Sequence, residues 1–461
     1  KLVILTNELA MPLFNVHDTV KLFDLDIVPP KYVLDTLALG PNNPVLDKFD
    51  SKAMLAEVDM LLHHFEVKNI SNDVINDINI ATIKYIKACA KQRSPRNLIM
   101  TKEYLKEHNL LAVPFDKGTG ICVMKSSKYE EKLLEILNLP QFRKIESSRK
   151  NAKEFCFKEE ERINKALNTL KQNEKIDENL FKEIKSTGGQ LPRLYGLAKV
   201  HKHDIPVRPV LSMPGSPYFK IAEKITKWLS VVPESKIYCS TKQSVENIKD
   251  VNLDTDEVII SFDVTSLYTN VPVDEAIHYA ADLLYSKEEN QPPVDKETFV
   301  TLLKLATKNV IMLTHNGHYQ QLDGLAMGSQ PAPLLANIWL TKFDPLICEN
   351  CKIFERYMDD ILMSIKKDLI EVKLHFINEL HPNLRFTIEI EKDGKIPFLD
   401  ICIDHEGNSL TTKWYTKPTD TGLVLNFHAL APKRYKRNVV EGFIHRVFRA
   451  CSSWNLFHDS L

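Results

Sequence analysis

The sequence lacks any long hydrophobic run, and no apolar segment approaches the roughly eighteen residues that a membrane-spanning helix needs. The N-terminal KLVIL is too short and too poorly flanked for a signal peptide. No internal repeat is visible. These absences predict a soluble intracellular protein, and a first residue of Lys1 rather than Met is what a fragment or a processed product would have.

Paired cysteines and an overall basic charge are also missing. The eight cysteines are scattered, and only Cys348 and Cys351 stand at CxxC spacing, with no second pair to complete a zinc site. We therefore expect free thiols in a reducing compartment. The net charge of −1 argues against a uniformly basic nucleic-acid coat, yet residues 411–461 hold eight Lys or Arg against three Asp or Glu. Basic charge is concentrated there rather than absent.

What is present is the composition of a folded chain with room for two or three domains. Of its 461 residues, 44% are hydrophobic and 26% are charged, which is an ordinary globular balance. Apolar residues at helical spacing predict helices over 53–67 and 73–90. A charged stretch from about 128 to 186 predicts a solvated amphipathic helix pair, which the glycines at 188 and 189 bring to an end.

From residue 258 onward the pattern predicts alternating strands and helices of one α+β domain. The predicted helices are 273–286, a segment from Phe299 to Ala306, LLANIWL after a proline-containing loop, and about 369–380. Asn316 and Gly317 predict a tight hairpin turn. The alternating segments RFTIEIE and KIPFLDICI predict another hairpin around Asp393 and Gly394.

Two adjacent carboxylates, Asp359 and Asp360, stand in the sequence YMDD between apolar residues. Like charges at close range repel and resist burial, so this arrangement is costly unless a cation neutralises it. Asp263 ends a second apolar strand upstream, and the three carboxylates could serve a pair of magnesium ions. The pattern is typical of a polymerase palm. Taken alone, each carboxylate could instead cap a turn.

Nucleotidyl transfer uses two divalent ions, one to activate the attacking 3′-hydroxyl and one to hold the triphosphate and the leaving pyrophosphate. Asp263 and Asp359 are predicted to bridge both ions, with Asp360 beside them and Val264 in the same metal-binding set. Mn²⁺ is an expected substitute for Mg²⁺.

Long motifs follow one another in a fixed order along the chain. They are DKGTG (116–120), LPRLYGLAKVHK (191–202), VRPVLS (207–212), SFDVTSLYTNVP (261–272), GLAMGSQPAPLLANIWL (324–340), YMDD, FTIEIEKDGKIPFLD (386–400), WYTKPTDTG (414–422) and RVFRACS (446–452). This series, over roughly residues 30–453, resembles reverse transcriptases, and most closely those of Penelope-like retroelements, which are related to telomerase-type enzymes. The resemblance implies a nuclear RNA-directed DNA polymerase that extends a DNA 3′ end on an RNA template during retrotransposition, with no membrane partner.

The resemblance also implies a fold and its divisions. The fold is an α+β right-hand polymerase, with fingers, a palm built on an antiparallel sheet and a helical thumb. The implied boundaries are 1–90 for a helical N-terminal extension, 91–250 for fingers and upstream motifs, 251–405 for the palm with its primer-grip hairpin, and 406–461 for the start of a thumb.

Several residues are assigned to the incoming deoxynucleotide by their positions in these motifs. Tyr268 stands where reverse transcriptases place an aromatic ring that packs against the sugar and excludes a 2′-hydroxyl, although a core position is its alternative. Lys199 and Arg208 lie in segments that resemble two fingers motifs, where cations grip the triphosphate. Surface charge is the alternative for both.

The turn at Gly328, Ser329 and Gln330 resembles the loop that supports the templating base and the nascent pair, where small residues allow close backbone approach. Gln330 is assigned to the nucleotide on this basis. Ala332 departs from the family, which has a serine at this place before the proline. For Asp116, Lys117 and Gly118, a backbone turn and a nucleotide contact are equal alternatives.

Contacts to primer and template are implied for Tyr357 and for the hairpin at Phe398, Leu399 and Asp400. Basic residues of the thumb would face a duplex backbone, namely Lys433, Arg434, Lys436, Arg437, Arg446 and Arg449. KRYKR has two alternative interpretations, a nuclear import signal and a solvated helix end. Lys392 and Lys395 compete as the general acid toward pyrophosphate.

Many Penelope-like elements carry a GIY-YIG endonuclease after the reverse transcriptase, and only eight residues follow Ser453 here. The implied explanations are a truncated chain or the endonuclease-lacking branch that is associated with chromosome ends. Two other functions stay open. One is a telomerase-like or group II intron-like reverse transcriptase, and the other is a domesticated nucleic-acid-binding protein without catalysis, against which the intact carboxylate set argues.

Overall fold

The computed structural model describes residues 19–41, 51–67, 71–90, 96–146, 152–232, 240–286, 291–425 and 433–461. The helices are α1 (Lys31–Leu37), α2 (Ser51–Val67), α3 (Asn72–Ala90), α4 (Arg96–Glu107), α5 (Ser126–Leu137), α6 (Ala152–Gln172), α7 (Glu178–Ile184), α8 (Phe219–Leu229), α9 (Thr241–Ile248), α10 (Leu267–Asn270), α11 (Val273–Tyr285), α12 (Lys296–Thr307), α13 (Ala332–Thr341), α14 (Asp344–Ile347), α15 (Ile370–Glu379), α16 (Lys433–Ala450) and α17 (Trp454–Ser460).

The strands are β1 (Val20–Phe23), β2 (Leu110–Pro114), β3 (Ile121–Lys125), β4 (Phe142–Lys144), β5 (Arg193–Ala198), β6 (Val207–Ser212), β7 (Glu257–Val264), β8 (Val310–Thr314), β9 (Gly317–Gln321), β10 (Phe354–Tyr357), β11 (Asp360–Lys366), β12 (Phe386–Ile390), β13 (Lys395–Phe398), β14 (Ile401–Glu406) and β15 (Ser409–Trp414). They form four sheets, so the fold mixes helices and sheets as the sequence predicts.

The N-terminal sheet has the order β1-β3-β2 and joins segments that are distant in sequence. Val20 pairs with Ile121 in a parallel ladder, and Val33 of α1 is buried in the same small core as Leu110 and Val123. Residues 19–41 therefore pack with the sheet that follows the predicted boundary at residue 90. The predicted helices 53–67 and 73–90 are confirmed as α2 and α3.

The five-stranded sheet has the order β4-β9-β8-β5-β6. Thr314 pairs with Gly317, which confirms the predicted hairpin and places its two-residue connection at His315 and Asn316, one residue earlier than predicted. The described residues of the charged stretch from 128 to 186 form three helices and one short strand rather than a single helix pair. Its longest helix, α6, buries Ile163 and Leu167 and leaves most of its charged residues exposed, as an amphipathic helix should.

The central sheet has the order β10-β11-β7-β12, and all of its neighbouring strands are antiparallel. Alternate residues of a strand face opposite sides of a sheet. On β7, Val258, Ile260 and Phe262 pack into the main core with α11, α12 and α13, whereas Ile259 packs into a second core on the other face. The apolar faces predicted for the helices at 273–286 and 299–306 are confirmed as buried.

The C-terminal sheet has the order β13-β14-β15 and lies on that second core with α9, α16 and α17. The hairpin predicted around Asp393 and Gly394 is corrected here. The chain does turn tightly, since both residues have positive φ and Lys392 bridges Lys395. However, β12 pairs with β7 and β13 pairs with β14, so the turn connects two sheets.

None of the described helices is both long enough and apolar enough to cross a lipid bilayer.

Candidate active site

The carboxylates of Asp263 and Asp360 lie opposite each other on neighbouring antiparallel strands. Asp360 pairs with Asp263 across β11 and β7, and Thr387 of β12 pairs with Asp263 on its other side. By the alternation of a strand, Asp263 is on the same face of β7 as Ile259, and Asp360 is on the same face of β11 as Leu362. Both carboxylates therefore emerge on the face that the second core covers farther along the sheet.

Asp359 lies in the connection between β10 and β11, where Tyr357 pairs with Asp360. Met358 in that connection has a φ of +56°, which non-glycine residues adopt only when the surroundings impose it. The main-chain carbonyl of Asp359 accepts a hydrogen bond of 3.2 Å from the amide of Val264, the buried residue that follows Asp263. This bond ties the turn directly to the strand that carries the third carboxylate.

The three carboxylates disturb one another electrostatically. Burial, followed by the charges of Asp359 and Asp263, raises the pKa of Asp360 to about 6. Burial is also the main cause of the raised pKa of Asp263, followed by the charge of Asp359. Nearby basic residues oppose these upward pKa shifts. Lys117 opposes the shift at both carboxyls, Lys202 and Arg208 oppose it at Asp263, and Lys417 opposes it at Asp360. The site concentrates negative charge that a cation would relieve.

The donor set fits hard divalent cations, because carboxylate oxygens are the ligands that Mg²⁺ and Mn²⁺ prefer. Among the described residues, no three acidic, histidine or cysteine side chains converge closely enough to hold a metal by themselves.

A buried arginine beneath the turn is a functional residue that the sequence interpretation missed. Arg356 is fully buried, and its guanidinium donates to both carboxylate oxygens of Asp344 at 2.7 Å, to Asn337 at 2.5 Å and to the Met358 carbonyl at 3.1 Å. Bidentate pairing of this kind fixes position as well as charge. The network therefore holds the turn residue that precedes Asp359. A charged residue inside an apolar strand before YMDD was the available signal.

Arg208 and Lys199, predicted to grip the triphosphate, lie on and beside the strand pair β5 and β6. The Arg208 Nε is 3.1 Å from the buried carboxylate of Asp116, and Arg208 lowers the pKa of both Asp263 and Tyr268. Lys199 has a lowered pKa, first because of burial and then because of Arg208 and Lys202. The structure thus brings the predicted cations to the same region as the carboxylates.

Tyr268 belongs to α10, the short helix that follows β7 through Ser266, which has a positive φ of 52°. Its ring is half-buried against the main core, and burial followed by the charge of Asp359 raises the pKa of its hydroxyl. Its carbonyl accepts a 2.7 Å hydrogen bond from Leu325. Tyr268 is therefore both packed and adjacent to the carboxylates, so the two alternatives for it do not exclude each other.

The loop at Gly328, Ser329 and Gln330 is tied to β6, because the Leu211 amide donates to the Met327 carbonyl at 2.7 Å. Gly328 has a φ of +110°, and a methyl group there would overlap the Leu211 carbonyl oxygen. Glycine is therefore required by both conformation and space. Gln330 is half-buried, while Ser329 is buried. Ala332 is fully buried in the main core, where a serine hydroxyl would need a partner.

Two groups of predicted site residues lie at the far end of β7 and in the second core. The main-chain amide of Glu391 donates to the carbonyl of Ile259. Ile259 lies four residues before Asp263 on β7, so the two residues are about 13 Å apart along the strand at 3.3 Å per residue. Lys392 and Lys395 follow at that far end of β7, and their assignment as general acid stays a prediction. The side chain of Phe398 packs in the second core, which leaves only the adjoining turn to contact a primer.

The turn after Phe398 is formed by Leu399, which has a φ of +52°, and Asp400, whose carbonyl accepts from the Tyr415 amide at 2.9 Å. Tyr357 is 40% exposed beside the carboxylates. On α16, only Val447 and Ala450 are buried, so its N-terminal half projects from the core. Exposed residues there include the predicted contacts Lys433, Arg434 and Arg437.

Three comparisons with known proteins bear on the function. The family described as "Reverse transcriptase (RNA-dependent DNA polymerase)" matches residues 200–392. No curated protein gives a match. The chain therefore carries a reverse transcriptase domain, and it is an RNA-directed DNA polymerase.

Among solved structures, the chain is similar to a telomerase from Candida albicans in complex with a fragment of telomeric RNA, with 11% identity and a TM-score of 0.51 over 90% of this chain and 69% of that one. An apo telomerase from Candida tropicalis gives 9% identity and a TM-score of 0.46 over 82% of this chain and 64% of that one. The first likeness shows a shared fold of the telomerase type.

Proposed function

We propose that this protein is the reverse transcriptase of a Penelope-like retroelement, which extends a DNA 3′ end on an RNA template during retrotransposition. The observation that carries the proposal is the cluster of Asp263, Asp359 and Asp360, which share one end of the central sheet with basic residues facing them. The Penelope-like assignment rests on the motifs outside residues 200–392, above all DKGTG and WYTKPTDTG.

In this proposal Asp263, Asp359 and Asp360, with the main chain of Val264, would hold two Mg²⁺ ions. Bound there, the ions would lower the pKa of the primer 3′-hydroxyl and neutralise the charge on the triphosphate and the pyrophosphate. The protein supplies orientation. Arg356 fixes the turn that carries Asp359, and the bond between Val264 and Asp359 keeps that turn in register with Asp263.

The remaining residues position the nucleotide and the nucleic acid. Arg208 and Lys199 would bind the phosphates, and the ring of Tyr268, which packs against the main core, would lie under the sugar and exclude a 2′-hydroxyl. The tightly fixed Gly328 turn would support the templating base. The exposed basic half of α16 would follow the duplex backbone as a thumb, with the five-stranded sheet acting as fingers and the central sheet as palm.

A telomerase-like reverse transcriptase is the second candidate, because the fold resembles a telomerase over 90% of this chain. The two functions differ in their RNA. A retroelement enzyme copies long templates of any sequence, whereas a telomerase-like enzyme copies a short segment of a dedicated RNA repeatedly. The proposed nuclear location is common to both.

The experiment that separates them is primer extension on two RNAs, one long and heteropolymeric and one with a short template between structured flanks. The proposal predicts continuous synthesis to the end of the long RNA with Mg²⁺ and deoxynucleotides. Products confined to repeats of the short template would support the telomerase-like alternative and contradict the retroelement assignment.

A further inference from the structure

Two segments outside the matched reverse transcriptase domain meet beside the active site. We call residues 115–120 the DKG loop and residues 414–423 the strap. The Thr119 and Thr421 hydroxyls are 2.6 Å apart and share a hydrogen bond. Gly118 has a φ of +93°, and a methyl group there would overlap the carbonyl oxygen of Thr419. The contact is therefore close enough that only glycine fits on the loop side.

The DKG loop is also fixed on its other side, against the strands that carry the predicted triphosphate residues. The amide of Asp116 donates to the Ala198 carbonyl at 2.9 Å, and the buried Asp116 carboxylate pairs with Arg208 at 3.1 Å. Phe115 bridges Ala198 in parallel. Lys117 is thus held between Arg208 and the strap, with little freedom for its main chain.

The strap is anchored to the turn that follows β13. The main-chain amide of Tyr415 donates to the Asp400 carbonyl. The amide of Asp420 donates to the Lys417 carbonyl at 2.8 Å, and this bond closes a turn. Lys117 and Lys417 are both exposed, and they lie on the two segments that contact each other. In the described part of the chain neither lysine has a carboxylate partner of its own, whereas many other lysines form ion pairs.

Exposed cations on two segments that contact each other, one of them joined to Arg208, suit a polyanion that arrives with its own divalent ions. From these contacts we infer that Lys117 and Lys417 form a second phosphate-binding pair, which contacts the triphosphate of the incoming nucleotide and the departing pyrophosphate. This inference rests on the proposed function and deepens it, since it assigns specificity for a triphosphate to residues that the reverse transcriptase domain does not include.

Phosphates of the primer or template could satisfy the same lysines, so the test measures both ligands. The variants are Lys117→Ala, Lys417→Ala, the double variant and Lys117→Arg, with Lys249→Ala at an exposed site as the matched control. Single-nucleotide incorporation gives KM and kcat for the deoxynucleotide. Titration gives the Kd for an RNA/DNA primer–template.

The expected result is a rise of about tenfold in nucleotide KM for each alanine variant, since loss of a charge-assisted contact is commonly worth that much. The double variant should rise further, Lys117→Arg should recover in part, and primer–template Kd should stay within about twofold. Unchanged nucleotide KM, or weaker primer–template binding in its place, would overturn the inference.

Failure of the proposed function is detected separately. Nucleotide affinity is also measured without turnover, by titrating a deoxynucleoside triphosphate onto the protein bound to a primer that ends in a dideoxynucleotide. An inactive wild type whose affinity still falls on Lys117→Ala would contradict the proposed function and support the lysine pair. Equal affinity of wild type and variants would overturn the pair, whatever the activity.

Discussion

Asp360 shows the electrostatic repulsion within the site most clearly. Its carboxyl is half-buried next to Asp359 and opposite Asp263, and its pKa rises from the ordinary 3.8 to about 6. A raised pKa means that the folded protein binds this proton more tightly than the unfolded chain does. The stability of the metal-free protein therefore falls as pH rises through about 6, where the carboxyl becomes charged.

Replacing Asp360 with Asn removes that charge and should stabilise the metal-free protein near neutral pH by roughly 1 to 3 kcal/mol. The advantage should shrink as pH falls below about 6, where the wild-type carboxyl is protonated as well. Urea unfolding with chelator across this pH range measures it. Adding Mg²⁺ should stabilise wild type more than the variant. A variant that is less stable than wild type at neutral pH without metal would contradict the repulsion described here.

Arg356 acts through the turn rather than on substrate, and two of its variants separate its stabilising role from its positioning role. Arg356→Met leaves the buried Asp344 carboxylate without its partner, which should destabilise the protein by about 3 to 5 kcal/mol. Arg356→Met combined with Asp344→Leu should regain much of that stability, because an apolar pair can replace a buried ion pair.

The double variant should nevertheless stay slow in primer extension, with a lower kcat and a higher requirement for Mg²⁺, because the Met358 carbonyl has lost its donor. Denaturant unfolding and magnesium titration of activity are the two measurements. Full recovery of kcat together with stability would show that the arginine is only structural.

At the scale of elements, apolar periodicity predicted the helices well. The faces of α11 and α12 are buried at the predicted positions, because one helix face contacts one core and local spacing records it. The antiparallel pair at β8 and β9 was predictable for a similar reason, since its turn and its strands are neighbours in sequence.

Strand partners that lie far apart in sequence could not be predicted in this way. The segments RFTIEIE and KIPFLDICI predict one hairpin. In the structure, β12 pairs with β7 as an edge strand of the central sheet, whereas β13 pairs with β14 in another sheet. Similarly, nothing local indicates that Val20 pairs with Ile121. The carboxylate partners were found because their motifs were adjacent to strand ends. Arg356 was not found, because its partner Asp344 belongs to another element.

The contact between the DKG loop and the strap gives a prediction at this scale. Gly118→Ala should displace the strap, because its methyl group would overlap the Thr419 carbonyl and the residue has a φ of +93°. We expect a stability loss of about 1 to 3 kcal/mol and a higher nucleotide KM. Thermal unfolding and nucleotide titration measure these effects. Gly407→Ala is the matched control, since Gly407 also has a positive φ but no atom within 4 Å of an added methyl. Equal effects of both variants would mean that only backbone conformation matters.

In the whole molecule, β1 (Val20–Phe23) is part of the sheet that carries the DKG loop. Val33 is fully buried with Leu110 and Val123, so residues 19–41 should not be dispensable. Val33→Ala should cost about 1 to 3 kcal/mol through the cavity that it leaves, whereas Val28→Ala, at a position 73% exposed, should be nearly neutral. Denaturant unfolding compares them. Similar effects would show that this segment does not pack as described.

The molecule as a whole joins an N-terminal sheet, a catalytic domain and a C-terminal strap around one cluster of carboxylates. The claim that depends on all of them is that Asp263, Asp359 and Asp360 form a metal-dependent site for DNA synthesis on RNA. Sequence alone identified these carboxylates, because their chemistry is rare in apolar strands, and the structure places them at one end of the central sheet.

The most direct test is extension of a DNA primer on an RNA template with deoxynucleotides and Mg²⁺, using wild type, Asp359→Asn and the exposed control Asp250→Asn. The account predicts extension by wild type and by the control, and a loss of at least about a hundredfold for Asp359→Asn with unchanged binding of the primer–template. Synthesis by Asp359→Asn at the wild-type rate would contradict it.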